Sequence, residues 1–364
     1  MSADQLLIAL MALFAVLGAL DRIFGGRFGI GREFESGILT MGSLALAMVG
    51  IVCLAPVLAA VLRPVVVPVF RLLGADAAMF AGSILACDMG GGALARELTQ
   101  NADAAALGGV ITGSMLGATV VFTIPVAMGI LDEGDRPAMA KGILCGIITI
   151  PVGVLVGGLV AGFPLAMVAQ NLIPIVILAA LIALGLWRAE KTMVRGFELF
   201  GKGVVAVSTA GLAAAIAQSL TGWTIIPGMA LIADGFQTVG SIAIVLAGAF
   251  PLVAILTRLL RKPLLAAGKY LGINDAAAAG LIASLANSIA TFGMVKDMNP
   301  RGKVVNIAFA VSAAFVFGDH LGFTAGFAPE LLPAVILGKL SGGVSAVLVA
   351  LLLTAKEGDS TKRS

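Results

Sequence analysis

Three titratable side chains stand where apolar sequence leaves them no water: Asp88, Asp319 and His320. Asp88 sits in Ala86-Cys87-Asp88-Met89-Gly90-Gly91-Gly92, and Asp319-His320 in Val316-Phe317-Gly318-Asp319-His320-Leu321-Gly322-Phe323. An aspartate at the centre of a membrane helix costs about 3 kcal/mol on insertion scales, so such a group normally faces a cavity or a partner. Glycines beside each acid let backbone come close and leave its polar groups free for a ligand. Two carboxylates suit a small cation, whose ammonium they would strip of water, while an amide or hydroxyl nearby would take a hydrogen-bonding tail. Candidates for that second role are Asn287 and Ser288, with Ser284 beside them, and Ser114. Phe80, Phe317 and Phe323 could add cation–π contact. The plain alternatives are structural: a salt bridge or cap for Asp88, and an ion pair with His320 or Lys339 for Asp319. Lys339 is also the one intramembrane cation an anionic substrate could use.

Other chemistry finds no support. His320 is the only histidine, and a metal site wants several His, Cys or carboxylate ligands, so no metal and no cofactor is expected. Cys53, Cys87 and Cys145 lie in apolar runs and read as packing residues. There is no phosphate-binding glycine loop, aspartate-rich diphosphate motif or HExxH. Adjacent residues on a helix point about 100° apart, so Asp319 and His320 do not orient one another as a catalytic triad requires. No basic patch with interleaved aromatics suggests nucleic acid. An enzyme is therefore not expected.

What must hold these groups is a membrane bundle. The chain has 364 residues, is 60% hydrophobic and only 12% charged, with a mean hydropathy of +1.09, where soluble domains carry about twice that charge. Apolar runs long enough to cross a bilayer recur throughout. The pattern predicts nine spanning helices near 4–21, 38–62, 105–131, 137–163, 165–187, 203–221, 238–257, 303–325 and 330–354. The first run has no basic start and no clear cleavage site, so a retained helix is expected rather than a signal peptide.

Residues 42–84 reappear 198 positions later, with 14 identities in 43 positions. Gly42-Ser43 matches Gly240-Ser241, Leu73-Gly74 matches Leu271-Gly272, and Gly82 matches Gly280. Two shorter glycine-broken segments, 77–95 and 275–293, fall at corresponding places. Interrupted apolar segments in matching positions are the best sequence pointer to a transporter's binding site. The alternative is a full spanning helix with small residues for packing. The same offset pairs Asp88 with Ala286, Met89 with Asn287, and Ser114 with Ser312, so the paired site carries acid on one side and amide on the other.

Basic clusters orient the chain. Arg22, Arg27 and Arg32, then Arg188 to Lys202, Arg258 to Lys269, Lys296 to Lys303, and Lys356, Lys362 and Arg363 fall on one side, the cytoplasm by the positive-inside rule. Arg63 and Arg71 oppose it. An odd number of crossings separates the repeats, so they are expected to be inverted. The expected class is an all-α polytopic membrane protein of two inverted repeats with glycine-broken re-entrant segments: 1–164, a linker helix and loop at 165–202, and 203–364.

The run 42–50, Ala86-Cys87-Asp88-Met89-Gly90-Gly91, Leu285-Ala286-Asn287 with Phe292-Gly293-Met294, Arg301-Gly302-Lys303-Val304, and Ala313-Ala314-Phe315 leading into Gly318-Asp319-His320-Leu321-Gly322-Phe323 together resemble the ethanolamine-utilisation permeases, EutH. The resemblance covers essentially the whole chain. It implies a permease moving ethanolamine inward across a bacterial cytoplasmic (inner) membrane for catabolism, with ethanolamine and the lipid bilayer as partners and a homo-oligomer left open. This chain reads Asn287-Ser288-Ile289-Ala290 where family members often read Asn-Asn-Ile-Pro, and it is shorter around 163–166 and 228–236. Two other readings compete: an ion-coupled transporter of another small metabolite, with Asp88 and Asp319 binding Na⁺ or H⁺, and a membrane sensor or scaffold that moves nothing.

Overall fold

The computed structural model describes residues 2–360, so Lys362 and Arg363 of the charge pattern lie outside the described residues, as do the side chains of Arg261 and Lys356. Every regular element among the described residues is helical. That is what a bilayer demands, since a spanning segment must satisfy its own backbone groups. The first half contains α1 (Ala3–Ile23), α2 (Ile30–Leu72), the short α3 (Ala78–Ile84) and α4 (Gly91–Leu98), α5 (Ala102–Ile130) and α6 (Glu133–Val160). The long helical element α7 (Leu165–Thr221) follows, then α8 (Ile232–Leu271), α9 (Asp275–Ala286), α10 (Ser288–Met294), α11 (Pro300–Ala313), α12 (Asp319–Phe327) and α13 (Leu332–Ser360).

Seven of these helices are long and apolar enough to cross a membrane. Of the nine spans read from sequence, the runs 165–187 and 203–221 both fall in α7, but they are separate helices: the backbone leaves the helical region at Ala189 (φ −145°, ψ 50°), and Gly185 lies against the Met193 side chain across that break. One span differs. The run 303–325 is broken between α11 and α12, where Phe315 takes a positive φ of 62°. Leucines such as Leu39, Leu181 and Leu352 point outward, as lipid-facing residues must.

The offset of 198 also relates helix ends and contacts. Ile23 ends α1 and Thr221 ends α7. Asn101 and Asn299 cap α5 and α11 through their side chains. Gly50 packs against the Ser208 backbone while Gly248 packs against that of Met11, and Gly82 meets Gly108 where Gly280 meets Asn306. In each case a side chain in place of the glycine would run into its neighbour, so the close approaches are written into both halves. The first part of α7, up to Ala189, has no counterpart.

Within α5, residues Ala106–Gly117 and Thr119–Thr123 are π-helical. The wider winding and the glycines there let the broken segment between α3 and α4 lie directly on α5: Gly117 faces the Leu85 carbonyl and Gly113 the Cys87 backbone. Wide turns of this kind frequently mark functional sites. Thr119 then donates to the Val311 carbonyl at 3.0 Å and ties α5 to α11.

Candidate functional site

The chain between α3 and α4 runs extended through Leu85 and Ala86, makes a single tight turn at Cys87–Met89, and reverses at Gly90 (φ 93°). Gly90 is required twice over, by its left-handed backbone and by Ile51, which a side chain there would strike. The turn presents Asp88. On the other side of the bundle, the break between α11 and α12 leaves Asp319 as the first residue of α12, where the positive end of the helix dipole favours a carboxylate by about 0.3–1 kcal/mol. His320 follows it.

Asp88, Asp319 and His320 line one cavity of about 1000 Å³. His320 Nε2 lies 3.7 Å from Asp88 Oδ1, and the His320 ring is 5.2 Å from that of Phe315. His320 Nδ1 is buried with no hydrogen-bond partner. The aromatic faces on the cavity belong to Phe122 and Phe315, which meet edge to face. Phe80 instead packs on Phe70, and Phe323 stacks on Phe327. The mouth carries Arg136, Glu198 and Lys202. These charges are paired: Arg136 with Glu133 at 3.4 Å, and Lys202 with Glu198 at 2.6 Å. The deep end is thus acidic and the mouth nearly neutral.

The other sequence-derived candidates lie elsewhere. Asn287 does not line the cavity; its side-chain oxygen accepts from the Ile289 N–H at 2.7 Å and caps α10. Ser288 is fully buried outside the lining, its hydroxyl without a partner. Ser114 is buried in α5, its hydroxyl bonded back to the Ile111 carbonyl at 2.8 Å. Each of these polar groups is placed by helix packing and its own neighbouring backbone, which sequence spacing alone does not distinguish from a ligand-facing position.

Two residues gain weight from the structure. Cys87, read from sequence as packing, puts its sulfur, an Asp88 oxygen and a His320 nitrogen within 4.8 Å of one another, the one grouping among the described residues with ligands for a metal ion. Lys339 on α13 is 1% exposed, and its Nζ donates to the Ser114 carbonyl at 2.5 Å. The only sequence signal for it was a lysine in an apolar helix.

A second, smaller pocket of about 360 Å³ lies at Arg96, Asn101, Phe327 and Glu330. There the Arg96 guanidinium sits 3.6 Å over the Phe327 ring and donates to the Phe327 carbonyl at 3.0 Å. Helices α4 and α12 both start at the acidic cavity and end at this pocket. Helix α5 begins at the second pocket and finishes at the cavity mouth, so the two openings lie toward opposite ends of one spanning helix. The acids lie between them.

A multi-pass α-helical membrane protein with charged side chains around an internal chamber is the class these features define. The sequence profile described as "Ethanolamine utilisation protein, EutH" matches residues 3–353, and the chain belongs to that family. It is 58% identical to the probable ethanolamine permease EutH of Listeria monocytogenes over 97% of this chain and 95% of that protein. It is 49% identical to the uncharacterized protein YxeR of Bacillus subtilis over 97% and 96% of the two chains. It is 48% identical to the probable ethanolamine permease EutH of Escherichia coli over 98% and 97%. No solved structure matches it. Relatives of this kind and the seven apolar helices make it a bacterial multi-pass membrane protein.

Proposed function

We propose that this protein is an ethanolamine permease, and that the protonated amine binds between Asp88 and Asp319 in the chamber. The observation that carries the reading is the convergence of the two acids and His320, from opposite halves of the chain, on one cavity deep in the bundle. Ethanolamine's amine, like that of lysine with a pKa near ~10, is protonated at neutral pH. It would exchange its water shell for the two carboxylates, while a bound water would serve the hydroxyl. Phe122 and Phe315 supply aromatic faces for the cation.

The permease name of the relatives supports transport rather than catalysis. The recurrence of helix ends and glycine contacts at an offset of 198 supports two inverted repeats flanking the linker part of α7. Such repeats typically rock about a midplane site. The mouth residues Arg136 and Lys202 belong to segments that the basic pattern places in the cytoplasm, so the chamber is taken as open inward. The Arg96–Phe327 contact then closes the outer side.

Uptake of labelled ethanolamine into proteoliposomes tests this, at a mildly acidic pH where the neutral amine leaks least. Wild type should show saturable uptake above protein-free vesicles. Asp88→Asn should reduce it about 100-fold, the size of losing a charged partner worth up to ~3 kcal/mol. Uptake unchanged by that substitution removes Asp88 as the counter-ion. No uptake by wild type under any gradient sinks the permease reading.

A further inference from the structure

Resting on that reading, the remaining buried charge sets which cations the chamber accepts. Lys339 is not part of the cavity lining; it stands behind the wall. Its ammonium is held by the Ser114 carbonyl, and the neighbouring Gly113 lies against the Cys87 backbone, one residue from Asp88. It is close enough to act electrostatically on Asp88, Cys87 and His320. No carboxylate touches Lys339 Nζ within ion-pair distance among the described residues. A buried ammonium with one carbonyl partner is costly unless opposite charge lies close by. Of the two chamber acids, Asp88 is the one Lys339 interacts with, and Asp319 lines the same cavity.

We propose that Lys339 is a specificity-determining residue: it offsets one of the two chamber carboxylates, leaves a net charge of minus one, and so fits the site to a single monovalent ammonium ion while excluding diamines. The amine substrate supplies the second cation, and the first is built in. Without Lys339 the two carboxylates would call for two positive charges, which a short diamine carries. Specificity of this kind comes from a repulsive element as much as from the attractive one.

The test is competition against labelled ethanolamine uptake, using ethanolamine, choline and 1,3-diaminopropane as competitors. In wild type, diaminopropane should compete poorly. Lys339→Met should bring its half-inhibitory concentration down by roughly tenfold or more relative to that of ethanolamine. Lys339→Arg should keep the wild-type order, because it keeps the charge. Asp88→Asn with Lys339→Met removes one charge of each sign and should recover part of the uptake that Asp88→Asn alone loses, a non-additivity that a merely structural lysine would not give.

The inference is overturned if Lys339→Met takes up ethanolamine with unchanged diamine discrimination. Equal competition by diamine and ethanolamine in wild type overturns it as well, and needs no variant to fold. Additive loss in the double variant does the same. Absence of ethanolamine uptake by wild type is a different result and counts against the permease reading instead.

Discussion

The two broken segments, α3–α4 and α9–α10, fall at matching places 198 residues apart and are used differently. The offset of 198 carries the first break, at 85–90, onto 283–288, the window in which Asn287 interrupts the second. The first break is turned to the chamber and presents Asp88. The second is sealed. The Ser284 and Leu285 carbonyls accept from the Phe315 and Phe317 N–H groups at 3.0 and 2.8 Å, and the Ser284 hydroxyl meets that of Thr291, which also donates to the Gly280 carbonyl at 3.0 Å. Gly318 lies flat on the Ala286 carbonyl, with no room for a side chain. One break therefore carries an acid, and the other braces the α11–α12 break that carries Asp319 and His320. A duplicated backbone feature does not imply a duplicated function; the hydrogen bonds left over after packing decide which copy faces a ligand.

The sharpest way to break that comparison is to move the acid. Asp88→Ala combined with Ala286→Asp should leave uptake at the protein-free background, since position 286 is packed against Gly318 and does not reach the chamber; recovered transport would show that the second break is equivalent to the first. Next in size is Gly318→Ala. Forcing a methyl group onto the Ala286 carbonyl should cost about 1–3 kcal/mol of stability, seen as a lowered unfolding temperature in detergent, with uptake falling as folded protein is lost. Asn287→Ala removes a helix cap worth about 1 kcal/mol and should leave the half-saturating ethanolamine concentration near the wild-type value. A collapse of uptake as deep as that of Asp88→Asn, in protein that remains folded, would put Asn287 in contact with substrate. Smallest is Thr291→Val, which frees the Ser284 hydroxyl and the Gly280 carbonyl; a stability loss of about 1 kcal/mol with normal uptake is expected.

The acids were legible in the sequence because a carboxylate in an apolar run is expensive wherever that run ends up, so Asp88, Asp319 and His320 stood out before any fold was known. Serines and asparagines carry no such signal. Ser114 bonds its own helix and Asn287 its own cap, and both satisfy themselves locally in a way that spacing cannot separate from ligand binding. The break before α12 was also hidden. The equivalent stretch of α5 stays continuous with Gly117 at the position of Phe315, and what opens the second copy is the set of bonds from residues 315 and 317 to a segment some thirty residues earlier.

The amino-acid sequence alone determined the membrane class, the helical content and the three costly polar groups, because each follows from the free energy of moving a residue or its backbone out of water. It did not determine that Cys87 stands beside His320, that Lys339 lies behind the acidic wall, or that one break is open and its twin closed. Those depend on which helix faces meet across the bundle, and that choice is made by packing and hydrogen bonds between residues far apart in the chain.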